Sequence, residues 1–248
     1  MSSAFGVFDG VHTGHQALLA LKPKKIYLSP LPKSSSLTTF EEREALIRKH
    51  AGKKGTVSYS ESPSKSESLL LYPDAAEYAL LTKEYLEKST YTEPVLHHEL
   101  PITSERIRMA LEAGEVEEAE AMLGYSYTLT GEVVYGRQLG RTVGMPTVNL
   151  KIAPEKLLPK HGVYGSITIV DGVRYLGVTS IGLRPTVDDL PHITIETFLV
   201  HFNRDLYGQQ VSLELKTYIR PITKFESLEA VRQKVDEDVR YVVEKRYE

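Results

Sequence analysis

The pattern of apolar and polar positions changes texture once along the chain. Up to Leu123, short apolar runs alternate with segments of helical period. Ala4–Phe8 is an apolar run, Gly10 follows it, and Ala17-Leu18-Leu19 lies just beyond, which predicts a strand, a tight turn and a helix start. Lys25–Leu28 predicts a second strand, ended by Pro30 and Pro32. Thr39-Phe40-Glu41-Glu42 places a hydroxyl and a carboxylate three residues apart. That is the spacing of a capping box, and it predicts a helix reaching His50 with Gly52 near its end. Serines at alternate positions from Ser58 to Ser68, with Pro63 among them, predict a solvated loop or a poor edge segment. Glu77–Leu81 reads as a short strand. Ser104–Leu123 reads as helical, with Ile107, Ala110, Leu111, Ala119 and Leu123 on one stripe, a break at Ala113-Gly114 and a stop at Gly124.

From Tyr125 the runs become short and β-patterned: Tyr127–Val134, Gly165–Val170, Val173–Val178, Thr194–Val200 and Val211–Ile219. Turn signals such as Asp171-Gly172 and Tyr207-Gly208 separate them. Regular short strands of this kind predict a closed barrel. Ser227 caps a last helix, on which Leu228, Val231, Val235, Val239 and Val242 recur at helical spacing. The expected architecture is α/β + β: an α/β domain over residues 1–123, then a β-barrel with a C-terminal helix over residues 124–248.

Composition narrows the function classes. At 248 residues there is room for one or two domains with sizeable cores. With 41% hydrophobic and 25% charged residues the chain is not globally disordered. A net charge of −3 gives no global sign of a nucleic-acid binder. No apolar run approaches the roughly 20 residues of a membrane helix, and Met1–Gly6 lacks the basic-then-apolar pattern of a secretory signal. The chain has no cysteine, which removes disulfides, zinc-thiolate sites and thiol nucleophiles together. The expectation is a cytoplasmic protein that binds neither membrane nor nucleic acid.

The densest candidate chemistry runs from Gly140 to Leu150. Gly140, Arg141 and Gly144 form a turn whose backbone can approach a bulky anion and cradle phosphate oxygens. An ordinary turn would also fit. Thr147 and Asn149 flank Val148, so in extended chain their oxygens point the same way. Two neutral oxygen donors suit Mg²⁺ already held in part by nucleotide phosphates. Glu196 is the one carboxylate in the apolar run Ile193–Leu199. It is a candidate general base if it faces a cleft and an ordinary surface group if it faces solvent. His161 and His201 read as structural or surface groups.

These residues resemble a known family. Gly140–Leu150 is similar to the Gly-Arg-x-x-Gly-x-Pro-Thr-x-Asn signature of riboflavin kinases. The resemblance continues through His161–Gly165, Ile181–Thr186, Ile195-Glu196, Asp205–Gly208, Ile219–Pro221 and Lys224-Phe225. It implies a small barrel that uses Mg²⁺ and ATP to phosphorylate riboflavin to FMN. It implies that Thr147 and Asn149 hold the metal and nucleotide, that Glu196 is the catalytic base, and that Arg220 and Phe225 lie near the flavin. Ser180 and His201 depart from the commoner Asn and acidic residue at their positions.

Phe8-Asp9-Gly10-Val11-His12-Thr13-Gly14-His15 places two imidazoles at a strand end and helix start, where free backbone N–H groups favour phosphate. The octet resembles the HxGH nucleotidyltransferase signature, and more closely the FMN adenylyltransferase half of bacterial bifunctional riboflavin kinase/FAD synthetase. Thr103–Arg108 is similar to a segment of that family, which implies nucleotide-binding roles for His12, His15, Ser104 and Arg106. Four departures stand out. The helix after His15 is short, Pro30-Leu31-Pro32 replaces Pro-His-Pro, Thr82-Lys83-Glu84-Tyr85 stands where a Phe-Arg-Phe-Gly-type segment follows the strand near Glu77–Leu81, and Glu105 sits beside Arg106. The expected function is a kinase for riboflavin, with adenylylation of FMN to FAD left open. The alternatives are a fully bifunctional enzyme and a flavin- or nucleotide-binding regulator without turnover. Oligomeric state is not read from the sequence.

Overall fold

The computed structural model describes residues 3–52, 56–58, 63, 68–74, 81–136, 147–184 and 192–247. Contacts divide the chain into two units. One comprises Met1–Met109, Ala121–Gly124 and Glu155–Leu157, and the other Ala110–Glu120, Tyr125–Pro154 and Leu158–Glu248.

The first unit is built on a parallel sheet. Its described elements are β1 (Ser3–Gly6), α1 (Thr13–Ala20), β2 (Lys25–Leu28), α2 (Phe40–Ala51), β3 (Thr56–Ser58), β4 (Leu69–Leu71), α3 (Lys83–Lys88), β5 (Thr90–Tyr91), and the small hairpin β6 (Leu96–His97) and β7 (Leu100–Pro101). The strand order is β3-β2-β1-β4-β5, all parallel. Alternation along the strands sorts side chains onto two faces. Ala4, Ile26 and Leu28 pack with Leu18, Leu19, Ile47 and Tyr72, while Phe5, Tyr27, Leu69 and Leu71 pack with Leu81. In such a sheet the ligand crevice lies beyond the carboxyl ends of the strands where the order reverses, here between β1 and β4.

Local sequence explains the placement of α2. Thr39 Oγ1 accepts from the Glu42 amide at 3.2 Å, and the Glu42 carboxylate accepts from the Thr39 amide at 3.0 Å, the two halves of a capping box. Gly52 ends the helix at φ 72°. Arg43, buried on this helix, donates to the carbonyls of Val7 and Ser29 at 2.7 Å each and so satisfies backbone groups just past β1 and β2.

The helical region predicted from Ser104 to Leu123 is two helices, α4 (Ser104–Ala113) and α5 (Val116–Leu123). They break at Gly114, whose φ is +87°, and stop at Gly124. The second unit continues with β8 (Thr128–Val134), β9 (Thr147–Ile152), β10 (Gly162–Val170), β11 (Val173–Arg184), β12 (His192–Leu199), β13 (Gln210–Arg220) and α6 (Leu228–Lys245). The strands close into an antiparallel barrel in the order β10-β11-β12-β9-β8-β13. Leu129, Ile181, Ile195, Leu213 and Leu215 are buried at alternating strand positions. Ser166, Thr179 and Thr197 form a buried hydroxyl chain with links of 2.7 and 2.9 Å. Ser227 Oγ accepts from the Ala230 amide at the start of α6, and Val242 packs against Val163 and Val178. Gly165 permits that approach, since a Cβ there would lie 2.2 Å from the Tyr247 hydroxyl.

The strand expected at Glu77–Leu81 lies almost entirely outside the described residues, as does most of the serine-rich segment. The strand β9, which carries Thr147 and Asn149, was expected only as extended chain. Among the described residues no helix is long and apolar enough to cross a membrane.

Removing one half of the capping box tests the account of α2. Thr39→Ala is expected to lower the unfolding free energy by about 1 kcal/mol in urea denaturation, with Thr39→Ser retaining most of it.

Candidate functional site

The barrel site is a consequence of strand register. β9 and β12 pair antiparallel with Thr147 opposite Phe198, Val148 opposite Thr197 and Asn149 opposite Glu196. Directly opposed residues share a face, with Cβ atoms about 4.5–5.5 Å apart. Thr197 points into the barrel, where its hydroxyl bonds Thr179, so Val148 shares the inner face. Thr147, Asn149 and Glu196 therefore share the outer face. Ser180 of β11, opposite Glu196 on its other side, lies on that face too. Glu196 and Asn149 are half-buried.

Gly136, just after β8, sets the position of the Asn149 amide. A Cβ at residue 136 would lie 2.2 Å from Asn149 Nδ2, so only glycine leaves that amide its place. Gly140, Arg141 and Gly144 lie outside the described residues. Beside Thr147 opens a cleft of about 410 Å³, lined by Val133, Val148, Leu199 and the segment Phe202–Tyr207. Tyr207 stacks on Tyr135 with centroids 3.8 Å apart and an interplanar angle of 23°. Tyr135 is 71% exposed, so an aromatic pair stands at this cleft in place of buried core.

Arg220 ends β13. Its guanidinium grips Asp238 of α6 through three contacts of 2.7–3.1 Å, and Asp238 is 2% exposed. The same guanidinium lies over the Phe225 ring, 5.8 Å from its centroid. Between them in sequence, Ile222 sits on Gly182, where a Cβ would be 2.0 Å from Ile222 Cδ1. Gly182 pairs with Thr194, two positions from Glu196 and on the same face. The segment holding Phe225 thus passes the outer face that carries Glu196. Sequence reasoning missed Phe202 and Tyr135 as cleft-side residues and Asp238 as the partner of Arg220. The motif Asp205–Gly208 was the only signal toward the cleft.

In the parallel-sheet unit, His12 and His15 follow β1. His12 Nδ1 accepts from the His15 amide at the start of α1. The two rings stack with centroids 3.7 Å apart and are 0% and 1% exposed. Burial pushes the His15 imidazole down to about 3, against the smaller opposing pull of Asp74 and Asp9. Asp9 accepts from the amides of Leu37 and Thr38 and from Arg108 at 3.2 Å. Ser104 Oγ donates to the Asp9 carbonyl at 2.8 Å. Arg106 donates to the carbonyls of Leu100, Pro101 and His97 at 2.8, 2.7 and 3.2 Å.

The closed six-stranded antiparallel barrel with a C-terminal helix packed on it fits the small barrel that the resemblance to riboflavin kinases implied. Residues 123–245 match the family model described as Flavokinase, riboflavin kinase, and this segment of the chain belongs to that family. A Listeria monocytogenes protein named bifunctional riboflavin kinase/FMN adenylyltransferase is 38% identical over 137 residues, 55% of this chain and 44% of its own length. A Bacillus subtilis protein named RNA-binding riboflavin kinase is 38% identical over 120 residues, 48% of this chain and 51% of its own. The chain spans about half the length of these curated relatives. The crystal structure of a Streptococcus pneumoniae protein titled macrolide-efflux protein is similar along the whole chain. It has a TM-score of 0.83 and 25% identity, covering 100% of this chain and 94% of that one.

The depressed His15 value has a consequence with a definite sign. The unfolded chain takes up a proton near 6.5 that the folded chain refuses until about 3. Between those values the unfolded state binds more protons, so stability conferred above 6.5 is lost as pH falls toward 3. The difference in unfolding free energy between wild type and His15→Asn is expected to shrink across that window in denaturant titrations at stepped pH.

Proposed function

We propose that the barrel transfers the γ-phosphoryl group of ATP to the ribityl 5′-hydroxyl of riboflavin, making FMN and ADP. The observation that carries this reading is the register that sets Asn149 opposite Glu196 and Thr147 two residues away on the same face. Phosphoryl transfer asks little covalent chemistry of a protein. It needs a metal, a phosphate cradle and a carboxylate for the acceptor's proton.

The roles follow from the donors. The Thr147 hydroxyl and the Asn149 amide oxygen fit a hard divalent cation, Mg²⁺ in this reading, which when bound neutralises charge on the transferring phosphoryl group. Gly140, Arg141 and Gly144 supply the phosphate cradle. The nucleoside occupies the cleft beside Thr147, with the stacked Tyr207 and Tyr135 as its aromatic wall. The flavin lies across the outer face, bounded by Phe225, with Arg220 held in place by Asp238. Glu196 accepts the 5′-hydroxyl proton as the oxygen attacks the γ-phosphorus and the bond to the β-phosphate oxygen breaks. The electron pair leaves on ADP. Domain limits of 1–123 and 124–248, a cytoplasmic location and ligands confined to small molecules belong to the same reading. For residues 1–123, the placement of Phe8–His15 beyond β1 at the order reversal of a parallel sheet supports likeness to HxGH nucleotidyltransferases.

The test is incubation with riboflavin and MgATP and separation of the flavins by chromatography. FMN is expected. Glu196→Gln is expected to lower kcat by about 10²- to 10⁴-fold with the riboflavin KM little changed. Asn149→Ala is expected to raise the KM for MgATP. A Glu196→Gln enzyme with full kcat removes Glu196 from the base role, and unchanged riboflavin in the wild-type reaction removes the reading.

A further inference from the structure

A parallel sheet of this order offers a crevice at the carboxyl ends of β1 and β4, and the two lips are Phe8–His15 and Tyr72–Asp74. The glycine of an HxGH turn leaves room for a ligand to approach the backbone closely. At Gly14 that room is taken. A Cβ there would lie 2.2 Å from Tyr72 Cζ and 2.5 Å from its hydroxyl oxygen. The Tyr72 ring meets His12 and His15 edge-on, with centroids 5.3 and 5.7 Å away, and is 2% exposed.

The ring is anchored at its far end. The Tyr72 hydroxyl donates to the Ile102 carbonyl at 2.9 Å and accepts from the Val95 amide at 3.3 Å. Burial also pushes its phenol above the usual range, so it stays a donor at neutral pH. The other groups that would meet a nucleotide are held by the chain itself. Arg106 is bonded to three backbone carbonyls, Ser104 Oγ to the Asp9 carbonyl, and the Asp9 carboxylate to Arg108 and two amides.

We propose that Tyr72 is a built-in plug of the nucleotidyltransferase-like crevice, so that the chain phosphorylates riboflavin and does not go on to adenylylate FMN. In adenylyl transfer an FMN phosphate oxygen would attack the α-phosphorus of ATP and expel pyrophosphate. That reaction needs the triphosphate against Gly14 and the two imidazoles, where the phenol ring stands. FMN is then the end product of the two units described, and FAD requires an adenylyl-transfer site elsewhere. The inference rests on the likeness of Phe8–His15 to HxGH enzymes, and FMN formation by the barrel is a separate readout from FAD formation.

The full chain is assayed with FMN and MgATP for FAD and pyrophosphate, with riboflavin phosphorylation followed on the same preparation. Binding of the β,γ-imido analogue of ATP is measured by equilibrium dialysis. No FAD above the enzyme-free control and one analogue bound per chain are expected. FAD from the wild type that disappears in His15→Ala, or a second bound analogue lost in that variant, overturns the proposal. Tyr72→Ala is expected to leave the riboflavin kinase rate unchanged and to make two further histidines reactive toward diethylpyrocarbonate. Equal histidine reactivity in the folded variant and wild type also overturns it. If Tyr72→Ala does not fold, Tyr72→Phe decides. It keeps the ring and is expected to show one bound analogue and no FAD, and a second bound analogue would refute the plug.

Discussion

The pairing of β9 with β12 is the constraint on which the barrel site depends. Side chains alternate with a period of two, so a slip of one residue would carry Asn149 and Thr147 to the interior and bring Val148 out beside Glu196. The barrel resists that slip from both sides. Thr197, opposite Val148, is tied inward through Thr179 to Ser166. β12 is also fixed along its other edge to β11, with Ile195 against Ile181 in the core. The buried hydroxyl chain therefore determines which way Glu196 points, although none of its members is on the outer face. Closure of the barrel leaves no free edge at which the register could drift.

Where chemistry is local, the sequence was legible. The capping box at Thr39 and Glu42, the break at Gly114 and the stop at Gly124 each depend on a few neighbouring residues, and each is found as the spacing predicted. The barrel strands were visible through alternation; β10, β11 and β13 extend the expected runs, while β12 starts earlier, at His192, and ends at Leu199, before the expected Val200. β9 carries the same alternation, with Val148, Leu150 and Ile152 set between Thr147, Asn149 and Lys151, but its start lies inside the turn signature of Gly140–Leu150, which masks it as a strand. The parallel strands β4 and β5 are three and two residues long, too short for any period to register. Asp238 could not be linked to Arg220 from sequence, since a buried ion pair between a strand end and a helix leaves no local pattern.

The histidine motif shows the opposite limit. Its residues were legible one by one, and their chemistry at a helix N-terminus was sound in isolation. Exposure was not legible, because it depends on residue 72, far along the chain and brought alongside only by the parallel pairing of β1 with β4. Tyr72 directly follows β4 and packs within the cluster of Leu18, Leu19 and Ile47. A side chain that continues the core into the crevice removes the crevice without changing a single motif residue.

Two glycines make the contrast concrete. Gly136 and Gly14 both exist in spaces that a Cβ would close, at 2.2 Å from a side-chain atom in each case. At Gly136 the neighbour is the Asn149 amide, a polar group on a half-buried face. At Gly14 the neighbour is a phenol whose own hydroxyl is committed to backbone at its far end. Glycine licenses close approach in both places, and what approaches decides the outcome. An amide fixed on the face of Glu196, two residues from the Thr147 of the cleft, makes a candidate site, whereas an apolar ring set against two buried imidazoles makes core. The same reasoning accounts for the low His15 value, since the ring that excludes a ligand also excludes the water that would stabilise a charged imidazole.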